Sequence, residues 1–179
     1  MTHDLARLSP SELLALYAGI TEELRQRQIT RSSNNPVGDL AESLFCRAFG
    51  WSQAPKSMRD ADATDGAGTR FQIKGRRLTP HNPSRQLGAI RELPKQRFDV
   101  LAGVLFDKDY RVQRAALIPH AVVTHLAKRV ERTNSWRFLL REAVWSIASV
   151  RDVTDEMRNA EKSWAELAMD QRQTALGSE

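Results

Sequence analysis

The side chains with chemical reach in this chain lie between Asp62 and Arg77, in the run D-A-T-D-G-A-G-T-R-F-Q-I-K-G-R-R. Asp62, Gln72 and Lys74 form the spacing D-x9-Q-x-K. Successive strand residues alternate faces, so Gln72 and Lys74 share one surface while Phe71 and Ile73 enter a core on the other. A turn at Gly66 and Gly68 brings the acid back beside the strand that carries the amide and the ammonium. A carboxylate, a neutral carbonyl oxygen and an ammonium gathered this way can hold a divalent metal and a phosphate. Phosphodiester hydrolysis needs a water made nucleophilic and neutralisation of the charge that grows in the transition state. Mg2+ suits that task with oxygen ligands, often one or two carboxylates completed by water and substrate phosphate.

The D-x9-Q-x-K spacing resembles the motif of the PD-(D/E)XK nuclease superfamily, in the branch where Gln replaces the usual Glu, as in Mrr-type restriction endonucleases. The Q-I-K-G-R-R run is similar to an uncharacterised bacterial branch of the same superfamily. The likeness extends from about Pro36 to Pro119. It implies an α/β, restriction endonuclease-like fold: a mixed β-sheet flanked by α-helices. It also implies a catalytic set of Asp62, Gln72, Lys74 and Glu42. Mg2+ or Mn2+ would be held by Asp62, Gln72, the backbone carbonyl of Ile73, and Glu42. Glu42 enters because the superfamily often supplies a Glu from the helix before the motif, and here it could restore the charge lost with Gln at 72. Lys74 would orient the water or stabilise the pentavalent phosphate. The implied activity is metal-dependent DNA endonuclease, in restriction or repair. The alternative is a non-catalytic nucleic-acid-binding module, or a defence-system subunit, on the same fold. The chain departs from the pattern in having Ala61 where the name-giving proline would precede the acid. Asp60 and Asp65 compete with Asp62; the spacing to Q-I-K selects Asp62, and Asp65 before Gly66 reads as a turn residue.

Charge points the same way. The net charge is +5 over 179 residues, but it is unevenly spread. From Arg70 to Arg97 there are eight Lys/Arg against one acid, whereas 151–179 has four basic residues and seven acids. A basic excess around the motif is the footprint of a phosphate-backbone binder. Arg70, Arg76, Arg77, Arg85, Arg91 and Lys95 are the expected nucleic-acid contacts, with Arg76 and Arg77 free to meet phosphates. DNA is the expected partner, and double-strand cutting would favour a homodimer, though no segment declares itself as its interface.

The elements that must position these groups follow from periodicity and caps. Ser9-Pro10-Ser11-Glu12 is a capping box that starts a helix, with Leu13, Leu16, Tyr17, Ile20 and Leu24 on one face to about Gln28. Asn35 and Pro36 start a second helix that buries Val37, Leu40, Ala41, Leu44 and Ala48. It ends at Gly50, with Trp51 folding back. Glu42 lies at the edge of that apolar face. Thr79 to Arg97, with three prolines, reads as a long basic loop. Phe98 to Phe106 is a near-continuous apolar run, as for a strand covered on both faces. It pairs as a hairpin with Tyr110–Ile118 through Asp107-Lys108-Asp109. A helix is expected from Pro119 to about Glu131, with Val122, Val123, Leu126 and Val130 inward. Residues 136–150 are ambiguous. Thr154 caps a last helix that presents Met157, Ala160, Trp164, Leu167 and Ala168.

Length and composition fit one domain: an N-terminal helix over 1–30, a nuclease-like core over 36–150 and a C-terminal helix over 154–176. There is no long apolar run and no signal-peptide-like segment, so a cytoplasmic location is expected and no membrane partner. Cys46 is the single cysteine, which excludes an intrachain disulfide and a thiolate zinc cluster. His81, His120 and His125 lack metal spacing. Asp99 reads as either a strand-end polar or a carboxylate supporting the site.

Overall fold

The computed structural model describes residues 4–31, 35–55 and 61–164. In chain order its elements are α1 (Pro10–Gln26), α2 (Val37–Phe49), β1 (Ser52–Gln53), β2 (Ala63–Thr64), β3 (Arg70–Arg77), β4 (Ile90–Arg91), β5 (Val100–Phe106), β6 (Val112–Pro119), α3 (His120–Leu126), β7 (Lys128–Val130), β8 (Ser135–Arg137), α4 (Glu142–Trp145) and β9 (Arg151–Asp152). A last helix, α5, covers 154–164. The architecture is α/β. Six strands form a mixed sheet in the order β1-β2-β3-β5-β6-β9, in which β3 and β5 are parallel and the other neighbours antiparallel. β4, β8 and β7 form a second, antiparallel sheet of three. Among the described residues, no helix is long and apolar enough to cross a membrane.

Local chemistry explains the elements around the motif. The Ser9 N–H donates to Glu12 Oε2 at 2.8 Å and the Glu12 N–H returns to Ser9 Oγ at 3.3 Å, closing the capping box of α1. Asn35 Oδ1 accepts from the Val37 N–H at 3.1 Å at the start of α2. Gly50, at φ +65°, ends α2 in the left-handed conformation that glycine adopts without steric cost. Trp51 then folds back and stacks on Phe45 and Phe71, with centroids 5.8 and 3.6 Å away. Asp65 Oδ1 accepts from the N–H groups of Ala67 and Thr69 at 3.0 and 2.8 Å, so it is the turn residue between β2 and β3.

The main sheet separates two cores. On one face Phe71 and Ile73 of β3 and Ala102, Val104 and Phe106 of β5 pack with α2 and α5. On the other, Leu101 and Leu105 of β5 pack under the β3–β5 crossover, with Leu87, Ile90, Leu93 and Phe98, and with Phe138, Leu140 and Val144. β5 is buried over nearly its whole length, as its unbroken apolar sequence requires. One glycine sets the distance between layers. A Cβ at Gly75 would lie 2.9 Å from the Val37 carbonyl oxygen and 3.1 Å from Ala41 Cβ, so α2 can lie this close to β3 only because residue 75 has no side chain.

Four expectations differ from the structure. The helix after Pro119 stops at Leu126, and Lys128–Val130 leaves it to pair as β7 with β8. Of its expected inward residues, only Val123 is fully buried, and Leu126 is 40% exposed. Short β-hairpin pairing wins there because Asn134 takes the left-handed conformation, φ +44°, that lets the chain reverse. α1 ends at Gln26 and buries none of its residues, its apolar face included. The 79–97 segment is not simply a solvated loop: Leu87, Ile90 and Leu93 pin it to the sheet. At α5, Asp152 rather than Thr154 supplies the capping oxygen, accepting from the Thr154 N–H at 3.0 Å, while the Thr154 hydroxyl is buried against Ala115. Asp60, Leu167 and Ala168 lie outside the described residues, as does the helix expected over 165–176.

Candidate active site

Asp62 stands immediately before β2 and is held by its backbone on both sides. Its N–H donates to the Phe71 carbonyl at 2.8 Å, and its carbonyl accepts from the Ala54 N–H at 2.9 Å. This registers the acid against β3 so that one carboxylate oxygen, Oδ2, meets three groups of the Q-I-K run. It accepts from the Gln72 side-chain amide and from the Ile73 backbone N–H, the latter at 2.7 Å, and Lys74 Nζ lies 3.8 Å away. The Asp62 and Lys74 side chains are each 25% exposed, open enough to meet a ligand yet held in place.

Glu42 arrives from the other layer. The close seat of α2 on β3 brings it to the same strand end, where it is only 17% exposed. It accepts from the Arg31 guanidinium and, at 3.0 Å, from the Gln53 amide on β1. Burial, and next the negative charge of Asp62, raises the Glu42 carboxyl above its ordinary value, against the opposite pull of Arg31. Gln53, which binds Glu42, pairs opposite Ala63, the residue after Asp62, so the two carboxylates come to the same edge of the sheet. One turn further along α2, burial and then Glu42 push the Cys46 thiol up to about 11. A thiol so far from ionising is a small half-buried hydrophobe, not a nucleophile.

Gln72 and Lys74 line a groove of ≈ 740 Å³ whose other walls are Ala89, Arg91, Glu92, Arg97 and Phe98. The crossover between β3 and β5, pinned by Leu87, Ile90 and Leu93, forms that far wall. A charged groove whose Gln72 and Lys74 also meet Asp62 can admit a phosphorylated chain and hold its phosphate against Lys74.

The expected catalytic residues Glu42, Asp62, Gln72 and Lys74 therefore converge. The expected nucleic-acid contacts mostly do not remain free. Arg70 is bound through its guanidinium to both Asp99 oxygens, at 3.1 and 2.8 Å, so Asp99 is a strand-end partner. Arg76 donates to the Ser84 carbonyl and to Asn82 Oδ1, at 3.0 and 2.7 Å. Arg77 donates to the Lys108 carbonyl at 3.0 and 2.6 Å and covers the Tyr110 ring at 4.2 Å. Arg85 pairs with Glu142, and Lys95 with Glu92. The expectation that Arg76 and Arg77 are free thus fails, because both hold turns of their own chain. Arg91 stays exposed on the groove wall. Arg31 and Gln53 were not legible as site residues. Each lies in a short segment without periodicity, and only the pairing of β1 with β2 brings Gln53 to Glu42.

The chain matches no protein-family model and no curated protein. Among the described residues, no group of three or more His, Cys, Asp and Glu side chains is arranged to hold a metal. The donor set at this site is instead two carboxylates with an amide and a strand carbonyl. The carboxylates and the carbonyl are oxygen donors, and the Gln72 amide, which here turns its NH2 to Asp62, becomes one when flipped; the set then matches the one-or-two-carboxylate pattern of Mg2+ sites.

Proposed function

We propose that the chain is a metal-dependent phosphodiesterase of nucleic acid, with DNA endonuclease as its activity and Mg2+ or Mn2+ as its cofactor. The observation that supports this is the meeting of Asp62, Gln72, Ile73 N–H and Lys74 at one carboxylate oxygen, with Gln72 and Lys74 lining a groove and Glu42 bound to Gln53 on the strand that pairs next to Asp62. Asp62 and Glu42 would hold the ion, aided by the Gln72 amide oxygen and the Ile73 carbonyl. When bound, it supplies an activated water and a Lewis acid.

The chain's own groups supply the rest. Asp62 is oriented by the Ile73 N–H, so its second oxygen keeps a defined direction. Gln72 donates its NH2 to Asp62 here; turning the amide over would present its oxygen instead, an exchange that costs no packing because the two ends are isosteric. Arg31 and Gln53 fix the Glu42 carboxylate and lower the cost of keeping it charged. Lys74, on the groove wall, would donate to a phosphate oxygen as negative charge builds there. Two such sites in a homodimer would cut both strands of a duplex.

The test is plasmid and oligonucleotide cleavage with Mg2+ or Mn2+. Asp62→Ala and Lys74→Ala should each lower the rate by about 10²-fold or more while the fold persists. Wild-type protein inert on duplex, single-stranded and branched DNA with either metal would overturn the reading. One observation favours a second reading. Because Arg31 already neutralises Glu42, a non-catalytic nucleic-acid-binding module is the alternative. It predicts DNA binding unaffected by metal and no calorimetric heat of Mn2+ binding.

A further inference from the structure

We propose that the three-stranded sheet β4-β8-β7 is a binding platform for the phosphodiester backbone of the strand that enters the groove. This rests on the nucleic-acid reading above. Register places the side chains. Arg91 is opposite Ser135, Val130 is opposite Ser135, and Lys128 is opposite Arg137. Residues paired across an antiparallel ladder, and residues two apart on one strand, share a face. Arg91, Arg137 and Lys128 therefore project from the same side of this sheet. The other side carries Ile90, fully buried, and Trp136, packed on the core, while Arg91, Lys128 and Arg137 are exposed around a buried Ser135, so the cations lie on the outer side.

Lys128 directly opposite Arg137 is a pairing that sheets avoid, since like charges across a ladder destabilise it. The cations of this face are exposed, and the sheet itself contains no acid. Of the neighbouring carboxylates, Glu92 pairs with Lys95 and Arg97 and Glu142 with Arg85 and Arg114, which leaves, among the described residues, Glu131, in the turn after β7, as the one acid beside three cations. An external polyanion is the partner that resolves the repulsion. At about 4.8 Å between strands and about 3.4 Å per residue, Arg91 and Lys128, two strands and two residues apart, are separated by roughly 12 Å. That matches about three to four phosphates at about 3.4 Å of rise per nucleotide of one strand. The platform joins the candidate site directly, because Arg91 also lines the groove with Gln72 and Lys74. On the sheet's other side, Arg129 lies over Trp136 with 5.8 Å between its guanidinium carbon and the ring centroid, so it is already engaged.

The test is equilibrium binding of labelled duplex and of the single strand of the same sequence, in chelator so that no cleavage occurs, across a salt series. Lys128→Ala/Arg137→Ala should fold normally, with thermal stability unchanged or raised by removal of the repulsion. It should lower the slope of log K against log salt by about 1.8 on duplex, or about 1.4 on single strand, for two lost contacts. The arm that shows the loss identifies the form bound. If the alanine pair fails to fold, Lys128→Gln/Arg137→Gln takes its place. Lys162→Ala, on α5 across the main sheet, should leave the slope unchanged. An unchanged slope in the double variant, equal losses in the Lys162 control, or no binding by wild type overturns the platform. A reduced slope in a protein that cuts nothing would leave the platform standing and remove the nuclease reading. Intact cleavage with an unchanged slope would do the reverse.

Discussion

Gly75→Ala probes the contact that assembles the candidate site. The added Cβ would meet the Val37 carbonyl oxygen at 2.9 Å, Val37 Cγ1 at 3.0 Å and Ala41 Cβ at 3.1 Å. Two of these atoms are backbone or Cβ and cannot rotate away, so α2 must move off β3. Overpacking of this kind costs about 1–3 kcal/mol. Replacing a strand glycine returns about 0.5–1 kcal/mol of chain entropy. The net expectation is a loss of about 1–2 kcal/mol, read by urea denaturation. At about 2–4 °C per kcal/mol for a chain of this size, Tm falls by roughly 2–8 °C. Glu42 lies five residues beyond Val37, about 7.5 Å along the helix axis, so it moves with the helix. Mn2+ affinity by calorimetry should therefore fall together with stability. Gly66→Ala is the internal control. A Cβ there has nothing within 4 Å, and the change should be neutral or stabilising by about 0.4–1 kcal/mol. If Gly75→Ala is as stable as wild type while the control behaves as expected, α2 does not sit on β3 at this distance. The route by which Glu42 reaches Asp62 then fails.

Two further outcomes follow from the site and the strand end beyond it. The Glu42 carboxyl is raised above its ordinary value by burial and by Asp62. Its contribution to folding is therefore full below the unfolded value and is lost as pH rises through the raised one. In chelator, the stability of Glu42→Gln relative to wild type should increase with pH over that window, while Mn2+ binding is lost. A gap that shrinks as pH rises would show that Arg31 outweighs burial. Arg77→Ala should destabilise by about 1–3 kcal/mol, through the lost hydrogen bonds to Lys108 and the lost ring contact with Tyr110. Its DNA-binding salt slope should match wild type; a flattened slope would return Arg77 to the nucleic-acid interface.

Local chemistry alone determined much of this protein. The capping box at Ser9, the left-handed Gly50 with Trp51 folded behind it, the Asp65 turn, the alternation of Phe71 and Ile73 against Gln72 and Lys74, and the doubly covered β5 all depend on residues near in sequence. Short-range hydrogen bonds and side-chain periodicity specify them, and an α/β class with helices over a sheet follows, while the parallel pairing of β3 with β5 is set by long-range contact. The fate of each cation was different. Arg70, Arg76, Arg77 and Arg85 form one basic run in the chain, yet each finds its partner through a turn or a long-range ion pair: Asp99, Asn82, Lys108 and Glu142 respectively. Net charge counts these arginines but cannot tell which are already neutralised. Conversely, Lys128 and Arg137 lie nine positions apart and looked unrelated while 119–131 read as helix. Pairing of β7 with β8 puts them opposite each other. The same holds for Glu42 and Gln53, which meet only because Gly75 lets α2 approach β3 and because β1 joins the sheet beside β2. Side-chain type and alternation are local properties, whereas charge pairing and layer contact depend on which distant segments the folded chain brings within a few ångströms.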